Sequence, residues 1–301
     1  MIGPKREDKQ MDHTWILLTG ATVAATCGLV GCFLLLRKMA MLGDAIGHAI
    51  LFGIAASFCL AGVRHTPILL IGATLCGWLT GFIVEYLRQT GVQNDAAISV
   101  TFTTLFATGV LLISLFAQSI DLDLDCVLFG EIAYVPLDTW SIGTWEVPRS
   151  FIIMIGILCT NLLFIILCYH PLKVSTFDPL FASALGIPTL LLHHILIGLT
   201  SLTTVAAFES VGIVLVISML ILPAATAYML TQHFSPMLLI SMGIGIFSSV
   251  VGYWLSLQWG SSIAGTTSFI AGACFLLALC FSPRYKWLSR IWERGKSSLQ
   301  S

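Results

Sequence analysis

Phe151-Ile-Ile-Met-Ile-Gly-Ile-Leu-Cys-Thr-Asn-Leu-Leu-Phe-Ile-Ile-Leu-Cys-Tyr169 runs for nineteen residues without a charge. A bilayer core about 30 Å thick needs about 20 such residues per helix. The apolar side chains are continuous rather than alternating, which argues against a barrel strand. This stretch reads as a membrane helix, and working outward from it the same signature recurs. Comparable runs lie at roughly 15–36, 43–62, 67–87, 96–117, 189–209, 211–231, 237–257 and 262–281. About nine spans result (eight if the pair flanking Glu209 merges), giving an all-α, polytopic transmembrane bundle.

Composition agrees. Of the 301 residues, 57% are hydrophobic and 10% charged, with a mean hydropathy of +0.95. A soluble domain carries charge on roughly a quarter of its residues, so this surface must face lipid. A net charge of -1 excludes a basic nucleic-acid platform. The nine cysteines include no C-x-x-C pair, so zinc-knuckle and thioredoxin-like chemistry are absent. Their ordinary use is as small residues at helix contacts. The first run is too long for a signal-peptide core and is read as a helix that stays in the membrane.

Polar segments flank and interrupt the transmembrane region 14–282. Residues 1–13 form a polar tail and 283–301 a basic one. Residues 118–150 carry Asp121, Asp123, Asp125, Glu131, Asp138 and Glu146 with Arg149 as the sole basic residue. Residues 170–188 are too polar and Pro-rich to span. They suit one short helix from about Pro179 to Leu185, with Pro at its start and Gly186 past its end. Lys and Arg near helix ends set orientation. One set of loops holds nine of them, including Arg37, Lys38, Arg88 and Lys173; the other holds five. The first set therefore faces the cytoplasm and the acidic 118–150 loop faces outside.

No G-x-x-x-x-G-K-[ST], G-x-G-x-x-G after a strand, G-x-S-x-G or H-E-x-x-H occurs, so the chain shows no means of hydrolysing ATP by itself. Ionisable groups inside membrane helices are costly and point to function. Gly43-Asp44-Ala-Ile-Gly-His48 opens the second run, and Asp44 and His48, four apart, share a helix face. A carboxylate and an imidazole together suit a divalent transition metal. The competing reading is a helix-capping Asp44 with His48 hydrogen-bonded in the bundle. Other candidates are weaker. His193 and His194 point to different faces at the membrane boundary, Glu85 pairs locally with Arg88, and Glu209 is an exposed or capping group. Asp121-Leu-Asp-Leu-Asp125 could gather cations, although a solvated acidic loop is the plainer reading.

Four stretches carry a resemblance. Gly31–Ile50 places the basic pair Arg37-Lys38 before Gly-Asp-Ala-Ile-Gly-His. Asp123–Tyr134, Phe177–Ile187 and Gly212–Ala227 follow in order. In these the chain resembles the permease subunits of the manganese/zinc/iron ABC importer family, notably the Tro type. The resemblance implies an ATP-driven importer of manganese, zinc or iron, in a bacterial cytoplasmic (inner) membrane, with Asp44 and His48 as metal ligands. It implies no permanently bound cofactor. Its partners would be a cytoplasmic ATPase, an external metal-binding protein, and a second permease subunit, identical or not. Phe177, Asp178, Pro179, Leu180, Phe181, Leu185 and Gly186 would form the loop that meets the ATPase. Two rivals are a gradient-driven metal transporter and a non-transporting scaffold. This chain departs from the family pattern at Gly47 and Phe52, where Ser and Pro are usual, and lacks a proline near 258–271. The absence of a proline at position 52 implies a straighter helix and a shifted site depth.

The orientation is directly testable. A reporter active only in the cytoplasm is expected to work when fused after Lys286 and to stay silent when fused near Asp138; the reverse would invert the topology.

Overall fold

A computed structural model of the protein describes residues 6–61, 66–116, 130–142 and 145–281. In lipid every backbone polar group must find a partner within the protein, so uninterrupted apolar runs have helix as their only open conformation. They form α1 (Arg6–Leu36), α2 (Leu42–Ala61), α3 (Thr66–Gln89), α4 (Asn94–Phe116) and α5 (Arg149–Leu167). Two short helices follow, α6 (Tyr169–Phe177) and α7 (Pro179–Ala184), then α8 (Thr189–Val211), α9 (Ile213–Leu230), α10 (Phe234–Trp259) and α11 (Ile263–Phe281). Among the described residues nine of these are long and apolar enough to cross a membrane, as the sequence predicts.

Several hydroxyl groups inside these helices are satisfied within their own helix. Thr26, Thr80, Thr101 and Thr200 each donate to the carbonyl four residues earlier, which removes the cost of an unpaired donor in a low-dielectric interior.

α1 is the central mast. Within its most apolar window 78% of residues are buried, against 22% for α4, α5 and α11, which therefore form the outer faces. α1 packs along α9, α10 and α5, while α2 packs on α3 and α4, and α8 crosses α3. The close crossing of α1 and α9 depends on Gly31. A Cβ there would lie 1.9 Å from the carbonyl oxygen of Leu220, a backbone atom that cannot step aside.

Three features differ from the sequence reading. The first helix begins at Arg6, inside the stretch expected as a polar tail. Residues 170–188 hold two helices rather than one, α6 preceding the expected short helix. The acidic segment contains a 3-10 turn (Ile132–Leu137) and a two-stranded hairpin, β1 (Thr139–Ile142) with β2 (Trp145–Pro148), pairing Thr139 with Pro148 and Trp140 with Val147. Among the described residues the spans hold no strand, and this pair lies wholly in the connecting segment. Arg149 fastens the hairpin to α5 by an ion pair to Asp138 at 3.8 Å and by its place over the Trp140 ring.

The Gly31 crossing gives a stability prediction. Gly31→Ala is expected to cost about 1–3 kcal/mol through overpacking, seen as a lower unfolding midpoint of the detergent-solubilised protein. Gly156→Ala, where a Cβ meets nothing within 4 Å, should leave that midpoint unchanged or raise it. Equal behaviour of the two variants would remove the α1–α9 contact from the account.

Candidate functional site

Asp44 sits in the first turn of α2, where the partial positive charge of the helix N-terminus favours a carboxylate. One turn on, Nε2 of His48 faces its Oδ1 at 3.5 Å. That separation is too long for a hydrogen bond. It is close to the roughly 3.4 Å that separates two donors each about 2.1 Å from one tetrahedral ion. The imidazole is oriented from α4: it stacks on Phe102 (centroids 5.5 Å, 28°) and meets the edge of Phe106 (5.9 Å). Both side chains remain open, His48 at 45% and Asp44 at 34% exposure. Two donors with unoccupied faces can hold part of a cation's shell and leave the rest to water or to another chain. Among the described residues no group of three or more His, Cys, Asp or Glu is arranged around one point.

On its other side Asp44 borders a narrow crevice lined by Gly43, Thr204, Phe208 and Leu220. Thr204 Oγ1 is buried with no hydrogen-bond partner, the one polar group that α8 brings to this crevice. Nothing in the sequence separates Thr204 from its neighbours Thr200, Ser201 and Thr203; only its position opposite Asp44 does.

A second polar cluster lies at the end of the bundle that carries Arg37 and Arg88. Arg37 is held by the turn that closes α1. Lys38 N–H bonds Leu35 and Met39 N–H bonds Leu34, with Lys38 left-handed at φ 59°, a pattern that caps the helix and fixes where Arg37 projects. Its guanidinium donates to His193 Nδ1 at 2.8 Å, to Ser175 Oγ at 3.2 Å and to Thr176 Oγ1 at 3.4 Å. Arginine only donates, so Nδ1 accepts and the imidazole proton belongs on Nε2, which faces Glu85 Oε2 at 3.1 Å. Glu85 also meets Arg88 at 3.2 Å and accepts from Gln89. Burial, with Arg88 nearby, lowers the Arg37 pKa to about 10, which leaves it charged at neutral pH. The local Glu85–Arg88 pair is as expected from their spacing. The His193–Glu85 contact is not expected: a contact across 108 positions leaves no periodic trace. His194 turns away to Trp78 and Phe82, on a different face from His193 as adjacent helix positions dictate.

These two sites can be placed along one ruler. His193, beside Arg37, and Thr204, beside Asp44, are both on α8, eleven residues apart. A helix rises about 1.5 Å per residue, so those two positions are about 16 Å apart along α8.

Next to that cluster is the segment singled out from sequence. Asp178 caps α7, its Oδ1 accepting from Phe181 N–H at 2.9 Å, with Pro179 in the first turn and Gly186 at φ +78° closing the far end. α7 buries Ala182 and turns Leu180 outward at 81% exposure, with Phe177, Phe181 and Leu185 each more than half exposed. α6 is fixed by contrast: Phe177 and Tyr169 pack against the buried ring of Phe234, and Tyr169 hydrogen-bonds Ser235. Glu209 is exposed at the end of α8. Asp121, Asp123 and Asp125 lie outside the described residues.

Residues 10–282 match the model of the ABC 3 transport family. The chain belongs to that family. It is 45% identical over 272 residues to the manganese transport system membrane protein MntD of Bacillus subtilis (strain 168), covering 90% of this chain and 92% of that protein. It is 38% identical over 271 residues to the zinc transport system membrane protein TroD of Treponema pallidum (strain Nichols), covering 90% and 74%. The solved structure of PsaBC from Streptococcus pneumoniae in complex with Fab aligns with a TM-score of 0.73 at 32% identity, over 92% of this chain and 94% of that one.

Gly47 and Phe52 of this ABC 3 family member have structural sense where they stand. A Cβ on Gly47 would come within 2.7 Å of Phe208 Cε2 and Cζ, so the glycine makes room for a buried ring behind the Asp44–His48 face. With Phe52 in place of a proline, α2 runs unbroken from Leu42 to Ala61. Adding a side chain at 47 is therefore expected to be harmful in this background. Gly47→Ser should lower the unfolding midpoint by an amount corresponding to about 1–3 kcal/mol, and Phe208→Leu in the same chain should recover most of it. A Gly47→Ser protein as stable as its parent would mean that the Phe208 ring yields freely.

Proposed function

We propose that this chain is the permease subunit of an ATP-driven importer of a divalent transition metal, manganese or zinc, in a bacterial cytoplasmic membrane. The observation that carries this is the Asp44–His48 pair, 3.5 Å apart on one face of α2. A carboxylate oxygen and an imidazole nitrogen suit these ions, and the named relatives are manganese and zinc transport proteins.

One chain provides two donors. Two chains about a two-fold axis provide two carboxylates and two imidazoles, enough to replace much of an ion's hydration shell while still letting it go. The open faces of Asp44 and His48 support such a partner. The exposed apolar side chains of the α7 segment, Phe177, Leu180, Phe181 and Leu185, support docking into a groove of a cytoplasmic ATPase, as amphipathic helices do. ATP would be bound and hydrolysed on that partner, since the chain has no phosphate-binding loop. An external metal-binding protein would deliver the ion to the opposite end.

The direct test is uptake of manganese and of zinc by cells whose own importers are deleted and that express the full complex. Asp44→Asn and His48→Ala are each expected to reduce uptake by more than about tenfold, equivalent to more than about 1.4 kcal/mol, with membrane insertion and ATPase association intact. Normal uptake by a stably inserted double variant would falsify the site and return Asp44 to a capping role.

A further inference from the structure

The Arg37 cluster has no place in metal coordination, yet it joins four parts of the chain at one point. Three of its charged groups, Arg37, Lys38 and Arg88, line a cavity of about 590 Å3 with Glu85 and His193. Three cations against one carboxylate make it a poor cation site. Its hydrogen bonds say more. Arg37 follows the last residue of α1 and begins the five-residue turn that leads into α2. Its guanidinium grips Ser175 and Thr176 on α6 with two nitrogens and His193 on α8 with a third. His193 in turn faces Glu85 on α3. α6 runs into α7 through the capping residue Asp178 alone. A displacement of α7 therefore reaches Ser175 and Thr176 within one turn of helix.

From Arg37 the route to the metal pair is short and stiff. Lys38 is the one non-glycine residue with positive φ among those described, a conformation that carries strain and is kept only where the surroundings enforce it. Met39 and Leu42 beyond it are fully buried, so the turn cannot swing freely. Asp44 lies seven residues after Arg37. α8 offers a parallel, rigid path from His193 to Thr204 and Phe208, which border Asp44 and Gly47. A half-buried guanidinium that donates through three nitrogens to two elements keeps these bonds only in a narrow geometry, so it transmits movement rather than absorbing it.

We infer that Arg37 is a positioning residue for transport, linking movement of the α6–α7 segment to the turn that presents Asp44 and His48. This rests on the reading of Phe177–Gly186 as the ATPase contact. Arg37 itself touches neither the ion nor the ATPase. Its removal should therefore leave metal affinity and complex assembly alone and lower the transport achieved per ATP.

The test uses the complete complex of permease and cognate ATPase in proteoliposomes, measuring manganese uptake, ATP hydrolysis and the manganese KM together. Arg37→Gln is expected to lower uptake per ATP hydrolysed by at least about fivefold, the low end of an energetic coupling between sites, with KM within about twofold of the parent. The double variant Ser175→Ala with Thr176→Val cuts only the α6 side of the link and should shift the same ratio in the same direction. Leu180→Asp with Leu185→Asp, assayed alongside, should also uncouple, and adding Arg37→Gln to it should cause little further loss. Parental uptake per ATP in either Arg37→Gln or the Ser175/Thr176 variant overturns the inference. So does a loss confined to KM or to complex assembly, which marks Arg37 as merely structural. If the Leu180/Leu185 variant transports normally, it is the ATPase-contact reading that fails; if that variant uncouples and Arg37→Gln does not, only the link fails.

Discussion

A carboxylate held within an apolar bundle costs several kcal/mol unless a cation, a helix N-terminus or water offsets it. Asp44 is that carboxylate here, and much of the architecture follows from where it must stand. A helix N-terminus has to be brought inside the bundle, so α2 starts at Leu42 beside the interior of α8 and α9. The turn from α1 must then be tight and buried, which the left-handed Lys38 and the buried Met39 achieve. α1 must cross α9 closely, which Gly31 permits, and the ring of Phe208 must approach α2, which Gly47 permits. His48 follows one turn later on the same face, aligned by Phe102 and Phe106.

The buried Glu85 and His193 obey the same constraint by pairing with each other and with the partly exposed Arg37 and Arg88. Arg37, His193, Glu85 and Arg88 form a chain of contacts from 2.8 to 3.2 Å in which each group faces one of opposite or complementary character. Such networks add little net stability compared with apolar packing, and removing one member is costly because it strands the rest. Their value is geometric. Here the network ties the ends of α1, α3 and α8 to α6, beside the surface where α7 exposes its apolar side chains. Defined contacts thus join the exposed face of α7 to the turn that leads into Asp44 and His48.

Much of this is legible in the sequence alone. Nine spans follow from continuous apolar runs, because hydrophobic length is a local property of the chain. The helix at Pro179–Ala184 is legible from Pro at its start and Gly186 past its end. The Asp44–His48 pair is legible because i and i+4 share a helix face. What escapes depends on contacts distant in sequence. His193 reads as one of two adjacent boundary histidines, and its partners Arg37 and Glu85 lie 156 and 108 positions away. Thr204 looks like any hydroxyl on a Thr-rich helix. The role of Gly47 needs Phe208 opposite it. The hairpin at Thr139–Pro148 is only four residues per strand, too short for alternation to stand out. α6 is hidden by His170 and Pro171, whose polarity and ring geometry read as loop, although proline is well tolerated in a helix's first turn.

The account stands or falls on whether Asp44 and His48 of two chains share one ion. Counting manganese bound at equilibrium to the purified, detergent-solubilised permease asks this directly. One ion per two chains is the result the account requires, falling to none when Asp44 and His48 are both replaced. One ion per chain, or undiminished binding after both replacements, would contradict it.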